Sequence, residues 1–226
     1  MNVLYEDNHL IAVNKAVGEI VQGDKTGDTP ICETIKQFLK EKYNKPGNVF
    51  CGVTHRLDRP VSGVVVFAKT SKALERFNEM LRNHEVKKTY WAIVKGVPKQ
   101  KEATLTHYLT RNEKANKSYA FDVERKDAKK AVLHYRVIAL SDNYSLLEVD
   151  LQTGRHHQIR CQLAAIGCPI KGDLKYGFPR SNKDGGISLH AHKVEFIHPV
   201  SKTPVTIVAP APSDTLWNTL TTKVKS

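Results

Sequence analysis

His55-Arg56-Leu57-Asp58-Arg59-Pro60-Val61-Ser62-Gly63 runs directly into Val64-Val65-Val66-Phe67-Ala68-Lys69. The second half is β-branched or aromatic from Val64 to Phe67, which is the composition of a buried strand. Ser62-Gly63 reads as the bend that feeds it. The first half places one acidic side chain between two arginines at a turn. A carboxylate beside guanidinium groups is expected to stay ionised. Asp58 is therefore a candidate for chemistry, against the simpler reading of a loop salt bridge.

Outward from this strand, the pattern alternates between short apolar runs and a few helices. Leu10-Ile11-Ala12-Val13 reads as an early buried strand. Thr29-Pro30 opens a helix, with Thr29 as N-cap and Pro30 at the first helical position. Ile31, Ile35, Phe38 and Leu39 fall on one face of it. Ser71 is placed to cap a second helix whose stripe is Ala73, Leu74, Phe77, Met80 and Leu81. Lys88 to Val94, Ala131 to Ile138, Ser145 to Leu151, Ile187 to Phe196 and Val205 to Val208 all read as strands. Gln158 to Ile166 is helical, with Gly167 as a left-handed cap and Pro169 beyond it. Ser213-Asp214 starts a closing helix that carries Trp217 and Leu220. Many strands, few helices and no regular βαβ alternation predict an α+β fold with a largely antiparallel sheet. No repeat, low-complexity tract or dividing linker is visible, so residues 1–226 are expected to form a single domain.

The chain of 226 residues carries 35 Lys+Arg against 23 Asp+Glu, a net charge of +12. Such an excess favours a polyanionic partner, nucleic acid first. The most polar segment contains Arg111, Lys114, Lys117, Arg125, Lys126, Lys129 and Lys130. It reads equally as a solvated hairpin or as part of an RNA-facing surface. No apolar run approaches the ~20 residues that span a bilayer, and the opening Met1-Asn2-Val3-Leu4 is no secretory signal. A cytoplasmic address and no membrane partner are expected. The four cysteines make no C-x-x-C pair and are expected to be reduced. His190 and His192 share a strand face and His156-His157 lie elsewhere, but no H-x-x-x-H or deaminase pattern is present, so no metal is expected. Gly185-Gly186 lacks the continuation of a phosphate loop and reads as a turn. With no heptad pattern, a monomer is expected.

Four ordered blocks carry a resemblance. His55 to Gly63 is similar to an H-R-L-D-x-x-T-S-G motif. Lys87-Lys88-Thr89-Tyr90-Trp91-Ala92-Ile93-Val94-Lys95-Gly96 resembles a K-x-Y-x-A-x-V-x-G strand. Thr153-Gly154-Arg155-His156-His157-Gln158-Ile159-Arg160 resembles T-G-R-T-H-Q-I-R, and Leu189 to Pro199 is the last block. Leu4 to Lys15 also fits. Together they resemble the RluA family of RNA pseudouridine synthases over nearly the whole chain. The departures are Val61 and His156, where Thr is usual, and Ala16, where Pro often follows the lysine.

The resemblance implies the pseudouridine synthase fold, a mixed sheet flanked by helices and loops around a central active-site cleft. It implies a catalytic domain alone, with no small N-terminal RNA-binding domain ahead of Leu4. It implies isomerisation of specific uridines in structured RNA, in tRNA, rRNA or both: the C1′–N1 bond breaks and C1′ rejoins the same base at C5, with no cofactor. The motif aspartate is Asp58, the active-site tyrosine is Tyr90, and the arginine that pairs with the carboxylate is Arg155. Leu189 resembles the apolar wall of the uracil pocket. Arg56, His55 and Lys88 are the candidates for holding base or backbone. Whether Asp58 attacks C1′, attacks the base or takes a ribose proton is open at this level. The rivals are a catalytically silent RNA-binding module on the same fold and an aspartate-based glycosidase. The latter wants a second carboxylate, for which Glu148, Asp150 and Asp173 are available.

Overall fold

The computed structural model describes residues 1–24 and 26–224. Among them the elements are, in chain order, β1 (Val3–Glu6), β2 (Leu10–Lys15), α1 (Ile31–Lys42), β3 (Gly52–Val53), β4 (Ser62–Ala68), α2 (Ser71–Arg82), β5 (Lys87–Lys95), β6 (Glu102–Asn112) and β7 (Lys117–Phe121). There follow β8 (Lys129–Leu140), β9 (Tyr144–Leu151), α3 (Gln158–Ala165), a 3-10 turn (Leu174–Tyr176), β10 (Leu189–Ile197), β11 (Pro204–Val208) and α4 (Thr215–Thr221). The fold is α+β. The chain divides into two compact units: Met1–Val86 with Ala191–Pro210, and Lys87–His190 with the chain from Ala211 onward.

In the first unit the strand order is β1-β2-β4-β10, with β3 on β4 and β11 on β10. All seven residues of β4 are buried, which explains an apolar run with no polar alternation. β2 pairs antiparallel with β4, bringing Leu10 opposite Ala68 and Lys15 opposite Gly63. Gly63 has φ +115°, and a Cβ there would stand 2.3 Å from the Ala191 carbonyl oxygen on β10. Only glycine permits that approach. α2 lays Ala73, Phe77 and Met80 on the sheet; Phe77 meets Phe196 edge to face, centroids 5.1 Å apart. α1 buries Ile31, Ile35 and Leu39 at helical spacing. Both helix starts lie one residue from the positions expected. Pro30 is the N-cap of α1 and makes no side-chain cap bond. Thr70, not Ser71, caps α2 by accepting from the Ala73 N–H at 3.1 Å. Thr70 is extended, as an N-cap must be.

The second unit is an antiparallel run in the order β5-β9-β8-β6-β7. Tyr90 lies opposite Val149, and a register shift between Val137 and Ala139 bends β8. α3 packs Cys161 against Leu109 and Ala131, with Tyr176 completing the cluster. α4 seals the other end: Trp217 and Leu220 pack on Ile93 and Leu146. Asp214 caps it by accepting from the Trp217 N–H at 2.8 Å, as the sequence suggests. Gly167 takes φ +78° behind α3, as expected of a left-handed cap. The four cysteines form no disulfide.

Candidate active site

The Asp58 loop is held from both ends. Upstream, Thr54 Oγ1 donates to the Val66 carbonyl at 2.7 Å and His55 Nε2 accepts from the Val66 N–H at 3.2 Å. Two consecutive side chains thus clamp the middle of β4. Downstream, the Val61 N–H closes a turn onto the Asp58 carbonyl at 3.0 Å, and the Gly18 N–H donates to the Arg59 carbonyl at 2.9 Å. Leu57 is buried, Asp58 half-buried and Arg56 exposed.

Beneath the loop sits a charge. Lys15, at the end of β2, is 1% exposed. Its ammonium donates to the carbonyls of Val61 at 2.6 Å, Ala16 at 3.0 Å and Arg59 at 3.1 Å. That is the full donor capacity of a lysine. Burial pushes its pKa down to about 8, against the opposing pull of the Glu19 and Asp58 carboxylates. The second flanking arginine does something else than expected. Arg59 directs its guanidinium to Thr26 Oγ1 at 2.8 Å and to the carboxylate of Asp28, with Asp24 at 3.9 Å. Arg59 therefore braces the loop against the 24–28 segment rather than flanking the Asp58 carboxylate. Lys15 is the residue that sequence reasoning left off the site; its signal was a lone cation closing an apolar strand.

In the second unit, Lys88 and Tyr90 project from the same face of β5, two residues apart. Tyr90 is 7% exposed. Burial lowers the Lys88 pKa, and its Nζ lies 3.7 Å from where a Cβ on Gly154 would stand. Lys88 and the Thr153-Gly154-Arg155 loop therefore meet. That loop is stapled by Gln158, which is 3% exposed. Its Oε1 accepts from Thr153 Oγ1 at 2.8 Å and from the Arg155 N–H at 3.0 Å, while its Nε2 donates to the Val132 carbonyl at 3.1 Å. Arg155 is exposed, with Nε donating to the Lys130 carbonyl at 3.0 Å. His157 enters α3 in the left-handed conformation, φ 52°. His156, at the position where Thr is usual, ties the loop to the β6–β7 turn. Its Nδ1 is 2.9 Å from Ser118 Oγ and its Nε2 3.1 Å from Asn116 Oδ1. Leu189 is 4% exposed at the start of β10. Of the residues singled out, His55, Arg56 and Asp58 belong to the first unit; Lys88, Tyr90, Arg155 and Leu189 belong to the second.

The carboxylates that a glycosidase would require are committed elsewhere. Asp173 is 1% exposed and receives a bidentate fork from Arg160 at 2.7 and 2.9 Å. Glu148 pairs with Arg136 at 2.9 Å. Asp150 accepts from Thr89 at 3.3 Å. Among the described residues no group of three or more His, Cys, Asp or Glu side chains is arranged to hold a metal ion, and no helix is long and apolar enough to cross a membrane.

Residues 9–165 match the family model described as RNA pseudouridylate synthase. A relative in Synechocystis, named as an uncharacterized RNA pseudouridine synthase, is 34% identical over 216 residues. The match covers 94% of this chain and 66% of that protein. The tRNA pseudouridine synthase C of Vibrio cholerae is 33% identical over 238 residues, covering 97% of this chain and 94% of its own length. Among solved structures, human RNA pseudouridylate synthase domain containing 4 superposes with a TM-score of 0.78 over 93% of this chain and 88% of that one, at 24% identity, so the fold is shared. With the family model spanning Asp58, Tyr90 and Arg155, and the Vibrio relative matched almost end to end, the chain belongs to the RNA pseudouridylate synthase family of isomerases.

Proposed function

We propose that this protein converts particular uridines of a structured RNA to pseudouridine, with Asp58 as the catalytic carboxylate. The reaction is an isomerisation. The C1′–N1 bond breaks, the uracil turns within the site, C1′ bonds to C5, and the C5 proton passes to solvent as N1 gains one. No redox partner is needed. The observation that carries the reading is the family motif around Asp58 standing on a loop fastened by four hydrogen bonds: from Thr54 to the Val66 carbonyl of β4, from the Gly18 N–H to the Arg59 carbonyl, and from buried Lys15 to the carbonyls of Arg59 and Val61. A group that must stabilise or trap the separated ribose and base gains most from such preorganisation.

In this reading Arg155 orients the carboxylate by its fork. Tyr90 stacks on the extruded uracil, and its hydroxyl serves proton removal from C5. Leu189 lines the pocket. Exposed Arg56 enters the space left by the flipped base or holds phosphate, and His55 and Lys88 complete the binding set. The substrate is a stem-loop RNA, tRNA first, because the Vibrio relative named for tRNA matches over nearly its whole length. The protein acts as a cytoplasmic monomer. A silent RNA-binding module is the weaker reading, since binding alone has no use for a carboxylate among phosphates.

Total RNA incubated with the protein should gain pseudouridine at single mapped positions, in tRNA before rRNA. Asp58→Asn should retain the fold by circular dichroism and lose turnover by at least ~1,000-fold, the scale expected when a covalent or proton-transfer group is removed. Pseudouridine formation by a folded Asp58→Asn protein would reject the assignment.

A further inference from the structure

The outer face of the second unit carries aromatic rings and cations in alternation. The β6–β8 register sets Tyr108 opposite Lys130. The β6–β7 register sets Tyr108 opposite Phe121, Thr110 opposite Tyr119 and Asn112 opposite Lys117. Directly opposed residues share a face of the sheet. The other face holds Leu109, Ala120 and Ala131, which pack toward α3. Tyr108, Phe121, Tyr119 and Lys130 therefore stand on the side that α3 leaves uncovered, and β7 is the last strand of the order; Lys117, at the start of β7, reaches both sides, its ammonium 5.3 Å from the Tyr176 ring. Tyr119 is 44% exposed. Arg125 stacks over Phe121 at 4.0 Å, and the Lys117 ammonium lies 5.7 Å from the Tyr119 ring. The strip has an inner end: Arg155 donates to the carbonyl of Lys130, the residue opposite Tyr108.

We infer that this face is a stacking platform for unpaired nucleotides flanking the target uridine, its rings taking bases and Lys117, Arg125 and Lys130 taking the phosphates between them. The inference rests on the pseudouridine synthase reading and extends it to how the RNA is held beyond the base that reacts. An exposed Tyr119 beside the half-buried Tyr108 and Phe121 on an edge hairpin would otherwise be a liability. Cations among the rings suit a polyanion that also offers flat apolar faces, which single-stranded RNA does. A duplex keeps its base faces stacked on one another and cannot use the rings. Asp122, Glu124 and Asp127 lie in the same connection. They leave the 111–130 segment with seven basic and four acidic side chains, so charge by itself is a weak attraction there and the rings must carry the selectivity.

The test uses the full protein and defined oligonucleotides. Twelve-nucleotide oligouridylate should bind with quenching of tyrosine fluorescence. Tyr119→Ala/Phe121→Ala should weaken that binding at least tenfold with an unchanged melting temperature. Tyr119→Phe, which keeps the ring, should bind within about twofold of the wild type. A twelve-base-pair duplex RNA should show no difference between wild type and the double variant. Equal affinity of wild type and double variant for oligouridylate, or an equal loss on duplex, would overturn the platform. So would a dimer in sedimentation that only the double variant abolishes, because the face would then belong to a second copy of the chain. Failure of the functional reading itself looks different: the wild type would form no pseudouridine on any RNA, whatever it binds.

Discussion

Lys15 is where a single side chain has the most leverage. Two of its three N–H groups serve carbonyls of the segment that presents Asp58, those of Arg59 and Val61, and the third serves the carbonyl of Ala16. Its burial cost is real: a pKa near 8 instead of 10.5 corresponds to on the order of 3 kcal/mol against the charged folded form. Because the folded-state pKa is depressed, the unfolded chain binds more protons between about pH 8 and 10.5, and stability rises with pH across that window. Urea titrations at several pH values should show this slope in the wild type and not in Lys15→Met. Activity runs the opposite way. A neutral amine has two N–H groups for three carbonyls, so turnover should fall above about pH 8. Lys15→Met should lose most turnover while global stability changes by less than ~2 kcal/mol, since the recovered desolvation offsets the lost hydrogen bonds. Full turnover by a folded Lys15→Met protein would detach this residue from the alignment of Asp58.

At the scale of elements, β4 and β10 approach each other closely at Gly63. Gly63, the second residue of β4, lies five residues after Asp58, and its missing side chain lets the β10 backbone at Ala191 close in. Gly63→Ala puts a methyl 2.3 Å from the Ala191 carbonyl oxygen and 2.6 Å from its nitrogen, at a φ that L-residues avoid. Backbone cannot yield as a flexible side chain does. The expected cost is about 3 kcal/mol or more, the sum of overpacking and conformational strain. It should be visible as a lower urea midpoint. A midpoint unchanged from the wild type would mean that the two strands part more easily than their register implies. α2 makes the contrasting case: its stripe of Ala73, Phe77 and Met80 is ordinary side-chain packing, where a substitution leaves a cavity and does not move a strand.

Over the whole molecule the net charge of +12 predicts a backbone-dominated hold on RNA. Affinity for a stem-loop should fall on a log–log plot with a slope of roughly −0.7 for each phosphate neutralised on unpaired strands. Extruding a stacked and paired uridine costs a few kcal/mol, and less in a loop. The same uridine should therefore be modified faster in a stem-loop than in a continuous duplex. A salt series run on both RNAs checks both statements together. Equal rates on the two, with affinity indifferent to salt, would contradict an electrostatic hold followed by flipping.

Much of this was legible in the chain before any coordinates. β4 and the stripes of α1 and α2 follow from periodicity and side-chain shape, which are local properties. The cap of α2 missed by one residue because Thr70 and Ser71 have similar side chains, and only the backbone angles decide which accepts the bond. Asp58, Tyr90 and Arg155 were legible as motif positions. What sequence could not supply depended on contacts between distant residues. Arg59 looked like a guardian of Asp58 because it is next to it, yet its guanidinium turns to a segment over thirty residues earlier. Adjacency along a chain does not fix where a long, flexible side chain ends. Lys15 entered the sequence reading only as the last residue of the Leu4–Lys15 block, and it became the support of the loop because pairing with β4 set it opposite Gly63. The 111–130 stretch stood out in sequence only for its charge; strand register gathered Tyr108, Tyr119 and Phe121 onto one face. Composition and period thus determined which elements form and which residues are chemically able. Register and burial, set by the tertiary structure, decided which of those residues meet.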